Sequence, residues 1–140
     1  MIEREFDEGT GIISVRGSGL YSFMDIEQHY AALRALVERV RSSGRPIRVL
    51  SDVTHGVRQA AWVEDYILDQ MTQIFRTGDR IAFLVANDSD KAHIQNVGGH
   101  LVHSFTSRTA AEQWLAAPED AAASVPPTNP PRPDRSDESQ

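Results

Sequence analysis

Three polar side chains whose types could do chemistry lie together near the middle of the chain: Asp52, Thr54 and His55. A histidine can act as a general acid or base near neutral pH, and a neighbouring carboxylate can orient its ring. An Asp that ends a strand also commonly accepts hydrogen bonds from the backbone of the following turn. The spacing leaves both interpretations open, and we favour the loop cap.

Two aromatic residues, Trp62 and Tyr66, follow four residues apart in a predicted helix, so they share one side of it. Other apolar residues of that helix already supply the roughly 100° stripe that packs a helix on a sheet. They are Val63, Ile67, Met71 and Ile74. We therefore predict that Trp62 and Tyr66 are exposed or contact a second chain or a ligand. Asp52, Thr54, His55 and Arg58 complete the predicted binding surface.

Motifs that would identify a reaction or a cofactor are missing from the sequence. It has no Cys, no P-loop and no nucleophile elbow, and Gly17–Ser22 lacks the third glycine of a dinucleotide-binding loop. His100 and His103, near His93, are three apart in a predicted strand and should point to opposite faces. His29 is expected to face solvent. We predict no catalytic residue, no metal site and no cofactor.

Hydrophobic periodicity places these residues on α/β elements. Two alternating runs around Gly9–Gly11 predict a hairpin, and apolar residues spaced three and four apart from Phe23 to Val40 predict a long helix with Ser22 as its N-cap. Shorter helices are expected after Asn87 and Ser107. The predicted strands are 2–7, 11–16, 47–53, 80–86 and 100–105, and the long helices are 23–43 and 59–77.

The resulting order, β-β-α-β-α-β-α-β-α, predicts an α/β fold with a single five-stranded, mixed and mostly parallel sheet and about four helices. The first strand should be antiparallel to its neighbour. The predicted core consists of apolar residues from the helix stripes and the continuous strand runs. They are Phe23, Ile26, Leu33, Val49, Ile67, Phe83, Val85 and Leu115.

A composition boundary divides the 140 residues into two parts, an α/β domain at 1–117 and a tail at 118–140. Six of the seven prolines lie in the tail, together with an excess of acidic residues and one large apolar side chain, Val125. Such a segment buries too little apolar surface to offset its ordering entropy, so we predict that it is disordered.

The charge and the amino-terminal residues limit the partners and the compartment. The net charge is −6, without the basic patch that nucleic acid requires. We expect no signal peptide, because Met1–Glu5 has neither a basic nor an apolar region, and no apolar run approaches the roughly 18 residues of a membrane span. We predict a cytoplasmic protein that binds no nucleic acid and has no membrane span.

The element order resembles the STAS fold, and more closely the small bacterial proteins of the SpoIIAA-like, or STAS/CRAL-TRIO-like, family. Three stretches carry this resemblance over residues 1–117: Ile47–Val53 ending near Asp52, Arg80–Ala86, and Phe105–Leu115 with its Ala-Glu-Gln-Trp-Leu helix. In phosphorylated antagonists of this family, Asp-Ser-Ser/Thr-Gly starts the helix after the Asp-ending strand. Here Ala60, Ala61 and Trp62 offer no hydroxyl, so the phospho-switch serine is absent.

The resemblance implies a non-enzymatic regulatory or protein-interaction module, whose partner would be another protein or a second copy of the chain. One alternative is a carrier or sensor of a small apolar ligand or lipid, with Trp62, Tyr66, Met71 and Phe75 lining its pocket. An enclosed apolar pocket of ~300 Å³ or more would favour that alternative. A small enzyme using Asp52 and His55 is the third hypothesis, and it needs the two side chains within hydrogen-bond reach.

Overall fold

The computed structural model describes residues 1–118, which form one five-stranded sheet with helices on both faces. The strands are β1 (Ile2–Asp7), β2 (Ile12–Gly17), β3 (Arg48–Asp52), β4 (Arg80–Leu84) and β5 (His103–Phe105). The helices are α1 (Phe23–Ser42), α2 (Ala61–Ile74), α3 (Asp88–Gly98) and α4 (Arg108–Ala116), and a single 3₁₀ turn covers Gly99–Leu101.

The strands follow one another across the sheet in chain order, β1-β2-β3-β4-β5. β1 is antiparallel to β2, and the remaining neighbours are parallel. The predicted fold class and element order are therefore confirmed. The carboxyl ends of β2, β3 and β4 consequently lie at one edge of the sheet, which is where open α/β sheets place their ligand sites.

Local capping sets most of the helix ends. Ser22 accepts a hydrogen bond from the backbone N–H of Asp25, and the Asp25 carboxylate accepts one from the N–H of Ser22, which completes a capping box for α1. Asn87 and Ser107 cap α3 and α4 in the same way through one bond each. The predicted N-caps Ser22 and Ser107 are thus confirmed, and of the three candidate caps Asn87, Asp88 and Ser89 the structure uses Asn87.

Several element ends differ from prediction. α2 ends at Ile74 rather than at residue 77, and β4 ends at Leu84 rather than at residue 86. α2 begins at Ala61 rather than at residue 59, because the Gln59 side chain instead binds the neighbouring loop. The last strand begins at His103 rather than at residue 100, because the chain turns at Gly99, whose φ of 58° lies in the left-handed region.

The core has two halves, one on each face of the sheet. α1 and α2 pack on the first face against Ile13, Val49 and Ile81, and α4 packs on the opposite face against Leu50 and Leu84. Burial of this kind stabilises a fold by roughly 25 cal/mol per Å² of apolar surface removed from water. Five of the predicted core residues are buried: Ile26, Leu33, Val49, Val85 and Leu115.

Three core predictions and one surface prediction need correction. Phe23 is more than half exposed, because it is the first residue of α1 and projects past the sheet edge. Ile67 and Phe83 are only half-buried, because they form the walls of a cavity described below. His29, expected to face solvent, is buried because it lies on the side of α1 that faces β1, where it meets Arg4.

The predicted disordered tail begins at residue 118 and therefore lies, apart from Pro118, outside the described residues. Within residues 1–118 no helix is both long enough and apolar enough to cross a membrane.

Candidate functional site

The loops that follow β2 and β3 are joined at the carboxyl edge of the sheet. Gly19 and Gly56 form an isolated parallel bridge that extends the pairing of the two strands. Gln59 reinforces it, because its side-chain amide donates to the carbonyl of Gly19 and accepts from the backbone N–H of Tyr21. The two loops therefore form one continuous surface at this edge.

Asp52 is held by the loop and by α4, not by His55. Its carboxylate accepts hydrogen bonds from the backbone N–H and the hydroxyl of Thr54, at 3.0 and 2.6 Å, and it pairs with Arg108 at 2.6 Å. His55 is exposed, and its Nδ1 lies 3.4 Å from the Thr54 hydroxyl oxygen. The loop-cap interpretation of Asp52 fits these bonds, and the geometry contains no Asp52–His55 acid–base pair.

The electrostatics of Asp52 agree with a structural role. Burial by itself would raise the pKa of its carboxyl, but the side-chain and backbone hydrogen bonds from Thr54 and the charges of Arg108 and Arg16 outweigh it and hold the pKa below its ordinary value. The carboxylate is consequently ionised near neutral pH and unsuited to act as an acid.

Trp62 and Tyr66 occupy different environments although they share one side of α2. Trp62 is 54% exposed, whereas Tyr66 is half-buried and stacks on Phe23, with ring centroids 5.4 Å apart. The Tyr66 hydroxyl donates to the carboxylate of Glu27. Tyr66 thus packs against α1 of the same chain, whereas we expected it to be exposed or to contact a second chain or a ligand.

Four of the apolar side chains that are more than half exposed lie on adjoining segments of this edge. Leu20 and Val57 flank the Gly19–Gly56 bridge, Phe23 begins α1, and Trp62 begins α2 one turn before the Tyr66 that stacks on Phe23. We call these four residues, Leu20, Phe23, Val57 and Trp62, the apolar rim. Exposed apolar groups gathered on adjoining segments are typical of interaction surfaces.

Charged residues near the apolar rim are predominantly acidic. α2 carries Glu64, Asp65 and Asp69 and no basic residue. Arg58 lies at the same edge, but Asp90 of α3 pairs with it at 3.6 Å. Glu64 contacts His93 of α3 at 2.7 Å. The rim therefore adjoins a helix of negative charge.

A half-open cavity of about 150 Å³ lies between α2, α3 and the ends of β3 and β4. We call it the outer pocket. Its interior is apolar, formed by residues such as Leu68, Met71, Val85 and Ile94, and its mouth carries Arg58 and Glu64. The volume is below the ~300 Å³ of typical ligand sites, so a whole lipid does not fit.

A second cavity of about 70 Å³, which we call the inner chamber, lies between the sheet and α1. Three buried polar residues line it: His29, Tyr30 and Ser51. Sequence reasoning missed this cluster although the signal was present. His29 lies three residues after Ile26 and four before Leu33, on the apolar stripe, and Ser51 alternates with Val49 and Val53 in its strand.

The pocket predicted for a ligand carrier has different walls from those expected. Met71 lines both cavities and Phe75 lines the inner chamber, but Trp62 and Tyr66 line neither of them. Both aromatics lie outside because they start the helix at its exposed end, beyond the sheet.

The histidines stay apart from one another in the structure. His93 meets Glu64, His103 packs on the ring of Trp114, and His100 is exposed in the turn before β5. Across residues 1–118 no group of three His, Cys, Asp or Glu side chains could hold a metal ion.

The amino terminus of α2, where a phosphorylated residue would lie in the family that the sequence resembles, has no hydroxyl. Ala60 occupies the N-cap position and offers no side-chain hydrogen bond. Ala61 and Trp62 follow it. The helix therefore begins without a phosphorylatable side chain at these three positions.

No protein-family model and no curated protein matches the sequence. Solved structures match the fold, among them two of low sequence identity to this chain. One is an uncharacterised protein of the DUF3478 family with a SpoIIAA-like fold from Shewanella loihica, 16% identical, with a TM-score of 0.60 over 82% of this chain and 92% of that one. The other is an anti-sigma factor antagonist from Mycobacterium paratuberculosis, 11% identical, with a TM-score of 0.53 over 82% and 94%. The chain has a SpoIIAA-like fold.

Proposed function

We propose that this SpoIIAA-like domain is a non-enzymatic regulatory module that binds a protein partner through the apolar rim and the adjoining loop from Asp52 to Arg58. The observation that carries the proposal is the exposure of Leu20, Phe23, Val57 and Trp62 on segments joined by the Gly19–Gly56 bridge. An exposed Trp at the same edge as three other exposed apolar groups is typical of a residue that anchors a protein interface.

The charges around the rim indicate the chemistry of the partner. The acidic residues of α2 would repel an anionic membrane surface, and they would also repel the same helix of a second copy. A different protein with apolar groups surrounded by Lys or Arg fits this surface best. Binding should weaken as the salt concentration rises, because exposed charges are screened.

The resemblance to an anti-sigma factor antagonist supports a protein partner, and the amino terminus of α2 argues against control by phosphorylation there. Ala60, Ala61 and Trp62 carry no group that could accept a phosphate. Binding would then be constitutive or controlled by another signal.

The test uses the full chain, a Trp62→Ala variant and a matched Glu38→Ala variant. Glu38 is exposed on α1 about four turns from the rim. Proteins retained by the wild-type chain are purified, and their Kd is measured with each variant. We expect Trp62→Ala to raise Kd at least about 30-fold, as for an interface anchor, and Glu38→Ala to leave it within threefold.

Two results would contradict the proposal. The first is a set of retained proteins that bind Trp62→Ala and Glu38→Ala equally well. The second is a native mass spectrum in which the wild-type chain is a dimer and Trp62→Ala is a monomer, since the rim would then serve self-association.

A further inference from the structure

We propose that the inner chamber and the outer pocket together bind a small neutral amphiphile. Its hydroxyl or carbonyl group would lie in the inner chamber beside His29, Tyr30 and Ser51, and its apolar body would fill the outer pocket. This site adjoins the apolar rim, because Val57 of the rim also lines the outer pocket.

The first argument is the burial of polar groups without partners. His29, Tyr30 and Ser51 are only 4%, 8% and 8% exposed. Among the described residues, none donates to or accepts from the Tyr30 hydroxyl, the Ser51 hydroxyl or Nε2 of His29. Buried polar groups nearly always have hydrogen-bond partners, because an unmade bond is costly. These groups line a cavity that is half open, so a polar occupant, either water or a ligand group, can complete their hydrogen bonds.

The second argument concerns the protonation of His29. Arg4 lies 3.2 Å from Nδ1, and a guanidinium can only donate, so Nδ1 must be the accepting nitrogen and Nε2 must carry the proton. Burial, and after it the charge of Arg4, lowers the pKa of His29 to about 4, which keeps the ring neutral at pH 7. His29 consequently offers one N–H donor, fixed in place by Arg4.

The lining of the chamber indicates a neutral rather than a charged occupant. Besides His29 it carries only tyrosine and serine as polar side chains, and no Lys or Arg reaches it. Burying a carboxylate without a cation is expensive. Tyr21 is another wall residue, and burial, followed by the negative charge of Asp25, raises the pKa of its hydroxyl. The same two effects disfavour a negatively charged occupant. A hydroxyl or carbonyl oxygen can accept from His29 without this cost.

The third argument is that the two cavities adjoin. They share five wall residues, which are Tyr21, Val53, Ile67, Met71 and Phe83. The outer pocket is open to solvent and apolar, and a cavity of about 150 Å³ with apolar walls is known to take a benzene-sized group. The inner chamber, at about 70 Å³, has room for a polar group or a few waters. One molecule with a ring or short alkyl chain and a hydroxyl end satisfies both.

The experiment compares two probes that differ in one hydroxyl, 4-propylphenol and propylbenzene. Each is titrated into the full chain at pH 7, and Kd is measured from amide chemical shifts in NMR spectra. We expect 4-propylphenol to bind at least about tenfold more tightly, with shifts centred on β3, α1 and α2. Equal affinities, or shifts outside these elements, would overturn the proposal.

Three variants locate the hydroxyl. Tyr30→Phe and Ser51→Ala each remove a polar atom of the chamber, and we expect either to reduce the preference for 4-propylphenol to less than threefold. Tyr66→Phe removes a hydroxyl that lies outside both cavities and should keep the full preference.

The melting temperatures of the ligand-free variants separate a ligand site from a structural water site. If the chamber is a ligand site, the melting temperatures of Tyr30→Phe and Ser51→Ala should be no lower than that of the wild-type chain, since each substitution removes an unpartnered polar atom. Lower melting temperatures together with no preference between the probes would mean that the chamber only holds structural water, and would refute the proposal.

Discussion

The carboxylate of Asp52 and the guanidinium of Arg108 lie 2.6 Å apart, although 56 residues separate them in the chain. Asp52 ends β3 and Arg108 begins α4, so the pair ties the central strand to the helix that covers the opposite face of the sheet. The same carboxylate anchors the turn at Thr54. One side chain thus fixes both the loop toward α2 and the start of α4.

We expect Asp52→Ala to lower the free energy of unfolding by about 1–3 kcal/mol, because it removes charge-assisted hydrogen bonds of a largely buried carboxylate. Arg108→Ala should cost only about 0.2–1 kcal/mol, since the Arg108 side chain is about half exposed and water replaces its partner. Urea unfolding of both variants measures the difference. A smaller effect for Asp52→Ala than for Arg108→Ala would contradict the structural role of Asp52.

The two tryptophans should differ sharply in their contribution to stability. Trp114 of α4 is buried in the second half of the core, so Trp114→Ala should cost about 3–5 kcal/mol. Trp62→Ala should stay within about 0.5 kcal/mol of wild type, because its side chain is already solvated. Thermal and urea unfolding provide the comparison. A large loss in Trp62→Ala would show that the apolar rim is part of the core.

His29 should make stability depend on pH. The unfolded chain binds a proton at this ring below its ordinary pKa of 6.5, whereas the folded chain binds it only below about 4. The unfolding free energy should therefore fall as the pH drops from 6.5 to 4, by up to roughly 3 kcal/mol in total. Above pH 6.5, His29 should not change the slope of the unfolding free energy with pH.

The check on this pH dependence is a series of urea unfolding curves at pH 7, 5.5 and 4.5 for the wild type and His29→Leu. The unfolding free energy of the variant should depend less steeply on pH. The pH dependence that remains in the variant includes that of His103, whose pKa is also lowered by burial. Equal slopes in the two proteins would place His29 in solvent.

Two leucines test the assignment of the first core half. Leu33 of α1 is buried, and Leu33→Ala should cost about 2–5 kcal/mol through lost transfer energy and a cavity. Leu20 belongs to the apolar rim, and Leu20→Ala should change stability by less than about 0.5 kcal/mol. Equal effects in denaturant unfolding would mean that the stripe of α1 is assigned to the wrong side.

Features that depend on neighbours in sequence were predictable. Ser22, Asn87 and Ser107 are N-caps because a short polar side chain precedes each helix, and this chemistry is local. Element order and parallel pairing followed from the alternation of apolar patterns. The sequence was therefore sufficient for the fold class.

Features that depend on packing between distant segments were not predictable in the same way. Phe23 fits the periodicity of α1, yet its position at the sheet edge leaves it against Tyr66 and solvent. His29 lies on the apolar stripe of α1, but its contact with Arg4 depends on the β1–β2 hairpin. The inner chamber arises where the sheet, α1 and α2 leave space between them, and the periodicity of one element does not reveal such a space.

The order of the strands has a consequence for how copies of the protein meet. β1 and β5 are the outer strands of the sheet. β1 carries four charged residues, Glu3, Arg4, Glu5 and Asp7, and β5 is only three residues long. Charged or very short outer strands discourage the backbone pairing by which sheets of separate molecules join into larger assemblies. The molecule can therefore keep apolar groups exposed at its helix ends for recognition while both borders of its sheet resist aggregation.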